Sequence, residues 1–461
     1  MATSRTHGTS SSSQATRKAL AQKLGEIAES APVTLIHKAL GIDDELYLVG
    51  GIVRDLASGL EQSDLDLATG LEAGTIISRL KANSIRVVET GLQHGTVTAV
   101  IDAKGYEISS FRRLASGAIA DSIETDLLGR DFTINALAFA VSSKTLLDPF
   151  GGLNDLDNSL LRAVENPMHR FAEDPHRIMR MVRFGPAQGR TIHEDTLAAA
   201  KSVRPRLAEV AVERTRVELE KILVSSHAAD GFRCLKELNL LEHTVPELLT
   251  CVGFEQNEFH IHDVFEHILW VMERCPHDLK LRLTALFHDI GKPQSLSVGD
   301  DGRRHFFKHE SFGAEICKER MAQLKFSHHL TEQVTLLVQH HMRPVDCGPV
   351  GIRRLLRDLG EEFESWRKFK YADATPTIAD DVVRERLADF DHRVEVERER
   401  LAKMGGSNLA IDGNDLIALG MRPGIQLGAV LKALNEDIIV DPELNTREVL
   451  LARAKLKIDA L

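Results

Sequence analysis

The alternation of apolar and polar positions divides the chain near residues 160–170. Ahead of that point, short runs with a two-residue period stand between helical runs, the signature of strands mixed with helices. Strands are expected at 46–53, 63–68, 85–89, 94–101 and 105–111, and helices at 51–58 and 72–82. Residues 18–45 carry Leu20, Leu24, Ile27, Leu35, Ile36 and Leu40 at helical spacing, enough for one or two helices. Beyond about 170 the pattern is helix after helix. It is broken by a polar stretch at 295–306, expected to be a hairpin, and by Met404-Gly-Gly-Ser-Asn. The expected fold is a small α/β head followed by all-α segments.

Within the head, Leu48-Val-Gly-Gly-Ile-Val-Arg-Asp55 precedes Ser63-Asp-Leu-Asp-Leu67. Residues two apart on a strand share a face, so the spacing places Asp64 and Asp66 side by side. Adjacent carboxylates repel unless a cation lies between them, and Mg²⁺ favours one or two carboxylates plus phosphate oxygens. A Gly-Gly turn lets backbone approach a triphosphate. A bare Asp-x-Asp is more often a solvated turn; the full string carries more information.

Composition narrows the classes. The 461 residues allow two to four domains. No apolar run is long enough to span a bilayer, so no membrane association is expected. Five cysteines without a Cys-x-x-Cys argue against a disulfide framework and fit a reducing cytoplasm. The net charge of −11 is unfavourable for a nucleic-acid binder, but 162–216 holds ten Arg and one Lys against seven acids. A mixed-charge helix surface would give the same count. Residues 1–17 are rich in Ser and Thr and read as a disordered tail.

The glycine and carboxylate strings resemble the signature of class II tRNA nucleotidyltransferases and bacterial poly(A) polymerases. Glu89-Thr-Gly-Leu-Gln-His-Gly-Thr-Val-Thr98, Tyr106-Glu-Ile-Ser-Ser-Phe-Arg112, Arg130-Asp-Phe-Thr-Ile-Asn-Ala136 and Asp148-Pro-Phe-Gly-Gly-Leu-Asn-Asp155 extend the likeness in order. The resemblance implies a polymerase-beta-like head in which Asp64 and Asp66 hold two Mg²⁺ ions. Gly50, Gly51 and Arg54 would contact the triphosphate, and Arg130, Asp131 and Asn135 would position the nucleotide. Glu107, at the start of an expected strand, is a candidate third carboxylate; a surface Glu is at least as expected there, so it is left out of the site.

Glu173-Asp-Pro-His-Arg-Ile-Met-Arg-Met-Val-Arg183 reads as a helix start. On a helix Asp174 and Arg177 share a face. In the resembled family this pair reads the incoming base; taken alone it reads as a local ion pair. Arg177, Arg180 and Arg183 read as a stripe suited to phosphate contact, and Arg180 is counted with the nucleotide-binding residues. The helix Glu213-Arg-Thr-Arg-Val-Glu-Leu-Glu-Lys221 reads as structural. Two departures stand out. Gly129 replaces the first of a usual Arg pair, and the segment from Arg113 to Gly129 is shorter than in relatives, where a longer loop helps the switch from adding C to adding A.

In the second half, His267, the pair His288-Asp289 in Leu286-Phe-His-Asp-Ile-Gly-Lys292, and Asp373 form a second set. An unpaired charge in an apolar helix is costly, and a divalent ion removes the cost. The set resembles the HD phosphohydrolase superfamily, which implies that these four residues bind a divalent transition metal. His309, His340 and His341 are read as ordinary core or surface histidines, although such positions support a second metal in some relatives.

The expected organisation is therefore a tail (1–17), a nucleotidyltransferase head (18–160), a helical RNA-binding neck (161–255), an HD domain (256–400) and a C-terminal helical segment (401–461). The implied activity is CCA addition to a tRNA 3′ end from CTP and ATP. The alternatives are a CC-adding enzyme, a poly(A) polymerase, an HD phosphohydrolase with a non-catalytic RNA-binding head, and a non-catalytic RNA-binding protein.

Overall fold

The computed structural model describes residues 9–41, 46–60, 65–91, 95–112, 120–255, 262–300, 302–374, 380–403 and 409–460. Asp64, residues 92–94, the 113–119 part of the shortened segment and the 404–408 break lie outside the described residues. The chain forms two compact units, Met1–His243 and Thr244–Leu461.

The first unit opens with α1 (Thr9–Ala28) and α2 (Ala31–Leu40). Helix α1 thus begins inside the segment read as a tail. The sheet strands are β1 (Leu46–Val49), β2 (Asp66–Thr69), β3 (Arg86–Gly91), β4 (Thr96–Ile101), β5 (Lys104–Ser110), β6 (Ala138–Ala140) and β7 (Leu146–Leu147), in the order β3-β4-β5-β2-β1-β6-β7. Pairing is antiparallel throughout except between β2 and β5. The expected strand 46–53 stops at Val49. Gly50 takes φ +66°, a conformation that a Cβ disfavours, and α3 (Gly51–Ala57) starts at once.

Strand alternation gives the sheet two apolar faces. Leu46, Leu48, Leu67, Val97, Ile108 and Phe139 pack on one side with Ile52, Val53 and, from α4 (Ala73–Ala82), Ile76 and Leu80. Val49, Ala68 and Phe111 pack on the other with Ala136, Ala138 and, from α5 (Ile123–Leu128), Ile123 and Leu127. Each fully buried Leu or Ile stabilises the fold by about 1.5–3 kcal/mol relative to exposure. Asp66, two residues before Ala68, lies on this second face.

Helices α6 (Gly152–Asp157), α7 (Pro167–Glu173), α8 (Arg177–Phe184), α9 (Glu194–Val203), α10 (Val212–Leu223) and α11 (Ala228–Glu237) complete the unit, with a short parallel pair β8 (Leu160–Leu161) and β9 (Thr191–Ile192).

The second unit is helical: α12 (Val264–Arg274), α13 (Leu279–Phe287), α14 (Lys292–Ser295), α15 (His309–Gln323), α16 (His328–His340), α17 (Pro349–Leu359), α18 (Phe363–Ala372), α19 (Asp380–Lys403), α20 (Gly413–Ala418), α21 (Ile425–Val440) and α22 (Arg447–Asp459). The stretch 295–306 contains the expected hairpin, β10 (Leu296–Val298) against β11 (Arg304–Phe306). Buried Arg353 of α17 pairs with Glu397 of α19 and donates to the carbonyls of Ile439 (2.6 Å) and Val440 (3.0 Å) at the end of α21. That network fixes three helices together, because either charge without the other would be buried unpaired. No helix is long and apolar enough to cross a membrane among the described residues.

Candidate active site and metal centre

The parallel pairing of β2 with β5 sets Asp66 directly opposite Glu107. Residues opposite in register share a sheet face, so Glu107 stands beside Asp66 as a second carboxylate. Sequence reasoning left Glu107 aside, because nothing in its neighbourhood says which strand lies next to it. Strand β1 runs antiparallel to β2 with Leu48 opposite Leu67. Continuing that register brings the Gly50 turn to the Asp66 end of β2.

Around that turn the predicted residues form one network. Arg54 Nη1 donates to Asn135 Oδ1 at 2.7 Å. Asn135 Nδ2 donates to Asp131 Oδ1 at 3.0 Å, and Arg180 Nε donates to Asp131 Oδ2 at 2.6 Å. Arg130 donates to Asp126 (3.2 Å) and to the carbonyl of Asn135 (3.1 Å). A Cβ on Gly50 would lie 3.1 Å from Arg130 Nη1, so the glycine lets this guanidinium sit against the turn. Asp131 and Asn135 are buried, so they hold Arg54 and Arg180 in place. Burial alone would raise the Asp131 carboxyl. The Arg180 charge, with hydrogen bonds from Asn135, Arg180 and Phe132 N–H, instead holds it well below the usual carboxylate range.

Two expectations are corrected. Asp174 and Arg177 do not share a helical face. Asp174 is extended (φ −147°, ψ 96°) beyond the end of α7, and α8 begins only at Arg177. Asp174 pairs with Arg214 of α10 at 2.7 Å. Arg177 donates to Glu173 Oε2 and to the Gly129 carbonyl, each at 3.1 Å. The Arg177–Arg180–Arg183 stripe is not an open phosphate-binding face either. Arg180 is paired with Asp131, and Arg183 Nε lies 2.5 Å from the buried Glu218 carboxylate. Arg214 and Glu218, both on the helix read as structural, are the residues the sequence reading missed. Gly129 also has a local cause: a Cβ there would meet Arg112 Cδ at 2.8 Å.

In the second unit, helix ends deliver six side chains to one place. His267 comes from α12, and His288 and Asp289 from the end of α13. His309 opens α15, His341 follows α16, and Asp373 follows α18. They form two trios, His267–His288–Asp373 and Asp289–His309–His341. Asp289 Oδ2 lies 3.3 Å from both His267 and His288 Nε2, while its Oδ1 lies 3.3 Å from His309 Nε2 and 3.8 Å from His341 Nε2. His309 and His341, read as ordinary core or surface histidines, thus stand in this cluster; His340 joins neither trio.

The donor set fits divalent metal. Nδ1 of His288, His309 and His341 lies 2.7–2.8 Å from the carbonyl three residues earlier (Ala285, Phe306 and Val338). A carbonyl only accepts, so each Nδ1 carries the proton and each Nε2 lone pair faces the cluster, as in metal sites. Lys292 Nζ is 2.6 Å from Asp289 Oδ2. Burial opposes ionisation of Asp289, but the Lys292 ammonium beside it outweighs burial and keeps the carboxyl ionised well below its ordinary range. Gly291 makes this approach feasible: a Cβ there would lie 2.4 Å from the His309 carbonyl and 2.6 Å from Gly313 N. The trios open on a cavity of about 440 Å³ lined also by Lys292, Arg304, His305 and Phe307.

Three family descriptions match the chain: Poly A polymerase head domain over 46–162, Probable RNA and SrmB- binding site of polymerase A over 189–251, and HD domain over 260–371. An A-adding tRNA nucleotidyltransferase of Deinococcus radiodurans is 32% identical over 84% of this chain and 90% of its own length. A CCA-adding enzyme of Levilactobacillus brevis is 30% identical over 88% of this chain and 93% of its own. Among solved structures, the Bacillus stearothermophilus CCA-adding enzyme in complex with CTP superimposes with TM-score 0.66 at 24% identity, covering 92% of this chain and 98% of that one, a likeness of fold. The chain belongs to the family of class II CCA-adding tRNA nucleotidyltransferases and bacterial poly(A) polymerases, with a C-terminal HD domain.

Proposed function

We propose that the chain completes the 3′ end of tRNA, adding C and A from CTP and ATP without a nucleic-acid template. The observation that carries this reading is the pairing of Asp66 with Glu107 beside the Gly50 turn and its arginine network. Asp66 and Glu107, with Asp64, would hold Mg²⁺, which when bound polarises phosphate oxygens and lowers the pKa of the attacking 3′-hydroxyl. Gly50 and Gly51 bring backbone N–H groups to the triphosphate, and Arg54 and Arg130 offer charge-assisted donors to it. Asp131, Asn135 and Arg180 fix those donors. Asp174 and Arg177 read the base. The relatives include both A-adding and CCA-adding enzymes. The deciding experiment supplies tRNAs ending before the first C, after C and after CC with CTP alone, ATP alone, or both. CCA addition extends all three to full length with both nucleotides; A-only, CC-only or poly(A) products would each reassign the enzyme.

A second activity is favoured by the two histidine–carboxylate trios. They would hold a pair of divalent transition-metal ions, whose bound water supplies the nucleophile for hydrolysis of a phosphate ester in the adjoining cavity. Hydrolysis of a phosphomonoester that is lost on Asp289→Asn and survives Asp66→Ala tests it. The unpaired cysteines suit the cytoplasmic setting expected for tRNA processing.

A further inference from the structure

Base reading by Asp174 requires a carboxylate of fixed orientation, and Arg177 does not supply it. The fixing group is Arg214, which places Nη1 3.2 Å from Asp174 Oδ1 and Nη2 2.7 Å from Oδ2. The backbone N–H of His176 donates to the same Oδ1 at 3.2 Å. Arg214 is held in turn. Its Nη2 lies 3.2 Å from His176 Nδ1, while His176 Nε2 lies 3.0 Å from the Arg214 carbonyl oxygen. That oxygen only accepts, so Nε2 carries the proton and Nδ1 accepts from the guanidinium. The residue is 7% exposed, and burial keeps its pKa below the ordinary histidine value, which agrees with the neutral tautomer. His176, Arg214 and Asp174 thus close a loop of directed hydrogen bonds.

The loop leaves Asp174 usable. An ionised carboxylate has about four acceptor positions. Three are taken here, two on Oδ1 and one on Oδ2. The Asp174 side chain is 30% exposed, so the remaining Oδ2 position is open to a ligand. Cytosine and adenine both carry an exocyclic amino group at the site where uracil and guanine carry a carbonyl.

We propose that Arg214 and His176 are positioning residues that lock the Asp174 carboxylate so that its free Oδ2 lone pair accepts this amino group, making the clamp a determinant of nucleotide selectivity. The inference rests on the reading of Asp174 as a base reader. A lysine keeps the charge of Arg214 but lacks the two-pronged fork.

The test measures kcat/KM for single addition of CTP, ATP, UTP and GTP to truncated tRNA by the wild type, Arg214→Lys, Arg214→Met, His176→Phe and Asp174→Ala. Thermal melting and tRNA affinity are measured beside it. Discrimination of CTP and ATP against UTP and GTP is expected to fall about ten- to a hundredfold in Arg214→Lys, with tRNA affinity retained. Retained discrimination in Arg214→Lys, with loss in Asp174→Ala, would overturn the clamp and leave base reading by Asp174 standing. Retained discrimination in Asp174→Ala would overturn both. An equal fall for all four nucleotides would show a merely structural role and overturn the clamp. If Arg214→Met or His176→Phe does not fold, Arg214→Lys decides.

Discussion

Single residues set the chemistry at each site. Asp66 faces Glu107 across β2 and β5, so each should matter to nucleotide transfer. Asp66→Ala and Glu107→Gln are each expected to lower single-nucleotide addition by at least about a hundredfold. Wild-type rates in Glu107→Gln would remove it from the metal-binding set. Asp131 gives a pH-dependent expectation. Its carboxyl is held below the ordinary range when folded, so its stabilisation is present above the unfolded pKa of about 4 and is lost as pH falls through and below that value. The gap in urea midpoint between wild type and Asp131→Asn should therefore narrow from pH 7 to pH 3. A constant gap would show that the ionised carboxyl adds nothing. Most of this detail was legible in the chain: Gly50, Arg54, Arg130, Asp131, Asn135 and Arg180 do gather. What pairs with Asp174 was not, because Arg214 lies forty positions away and only the packing of α10 brings it near.

At the scale of elements, period-two alternation located β1 to β5 of the head's sheet but not the short β6 and β7, and its limits came from turns. The segment 46–53 satisfied both a strand and a helix, and the positive φ of Gly50 resolves it into the end of β1 and the start of α3. The helix phase around Pro175 was misjudged for a related reason: the extended Asp174 delays α8 to Arg177, which removes the i,i+3 relation. His309 and His341 read as ordinary histidines in the sequence because they sit at the ends of different helices, where no periodicity marks them. The contact of Gly291 with the start of α15 yields a test. Gly291→Ala must push the His309 carbonyl away from 2.4 Å. Bound metal per chain, read by atomic emission, should fall below that of the wild type; unchanged metal content would mean that α15 shifts without moving His309.

At the scale of the whole molecule, the two sites belong to different compact units. Asp289→Asn is expected to leave nucleotide addition unchanged while removing phosphoester hydrolysis, and assays of both activities on one preparation check it. The wild type should carry two ions per chain, and His309→Ala or His341→Ala one. Two ions in either variant would exclude those histidines as ligands. The three Nδ1–H groups tied to backbone carbonyls three residues earlier carry one more consequence. Imidazole orientation is set by peptide groups of the folded chain, two in α13 and α16 and one at the end of β11, so the socket is shaped before any ion enters it. Chelated protein should keep its helical circular dichroism and regain its ions without refolding, unlike a finger domain whose chain collapses when zinc is withdrawn.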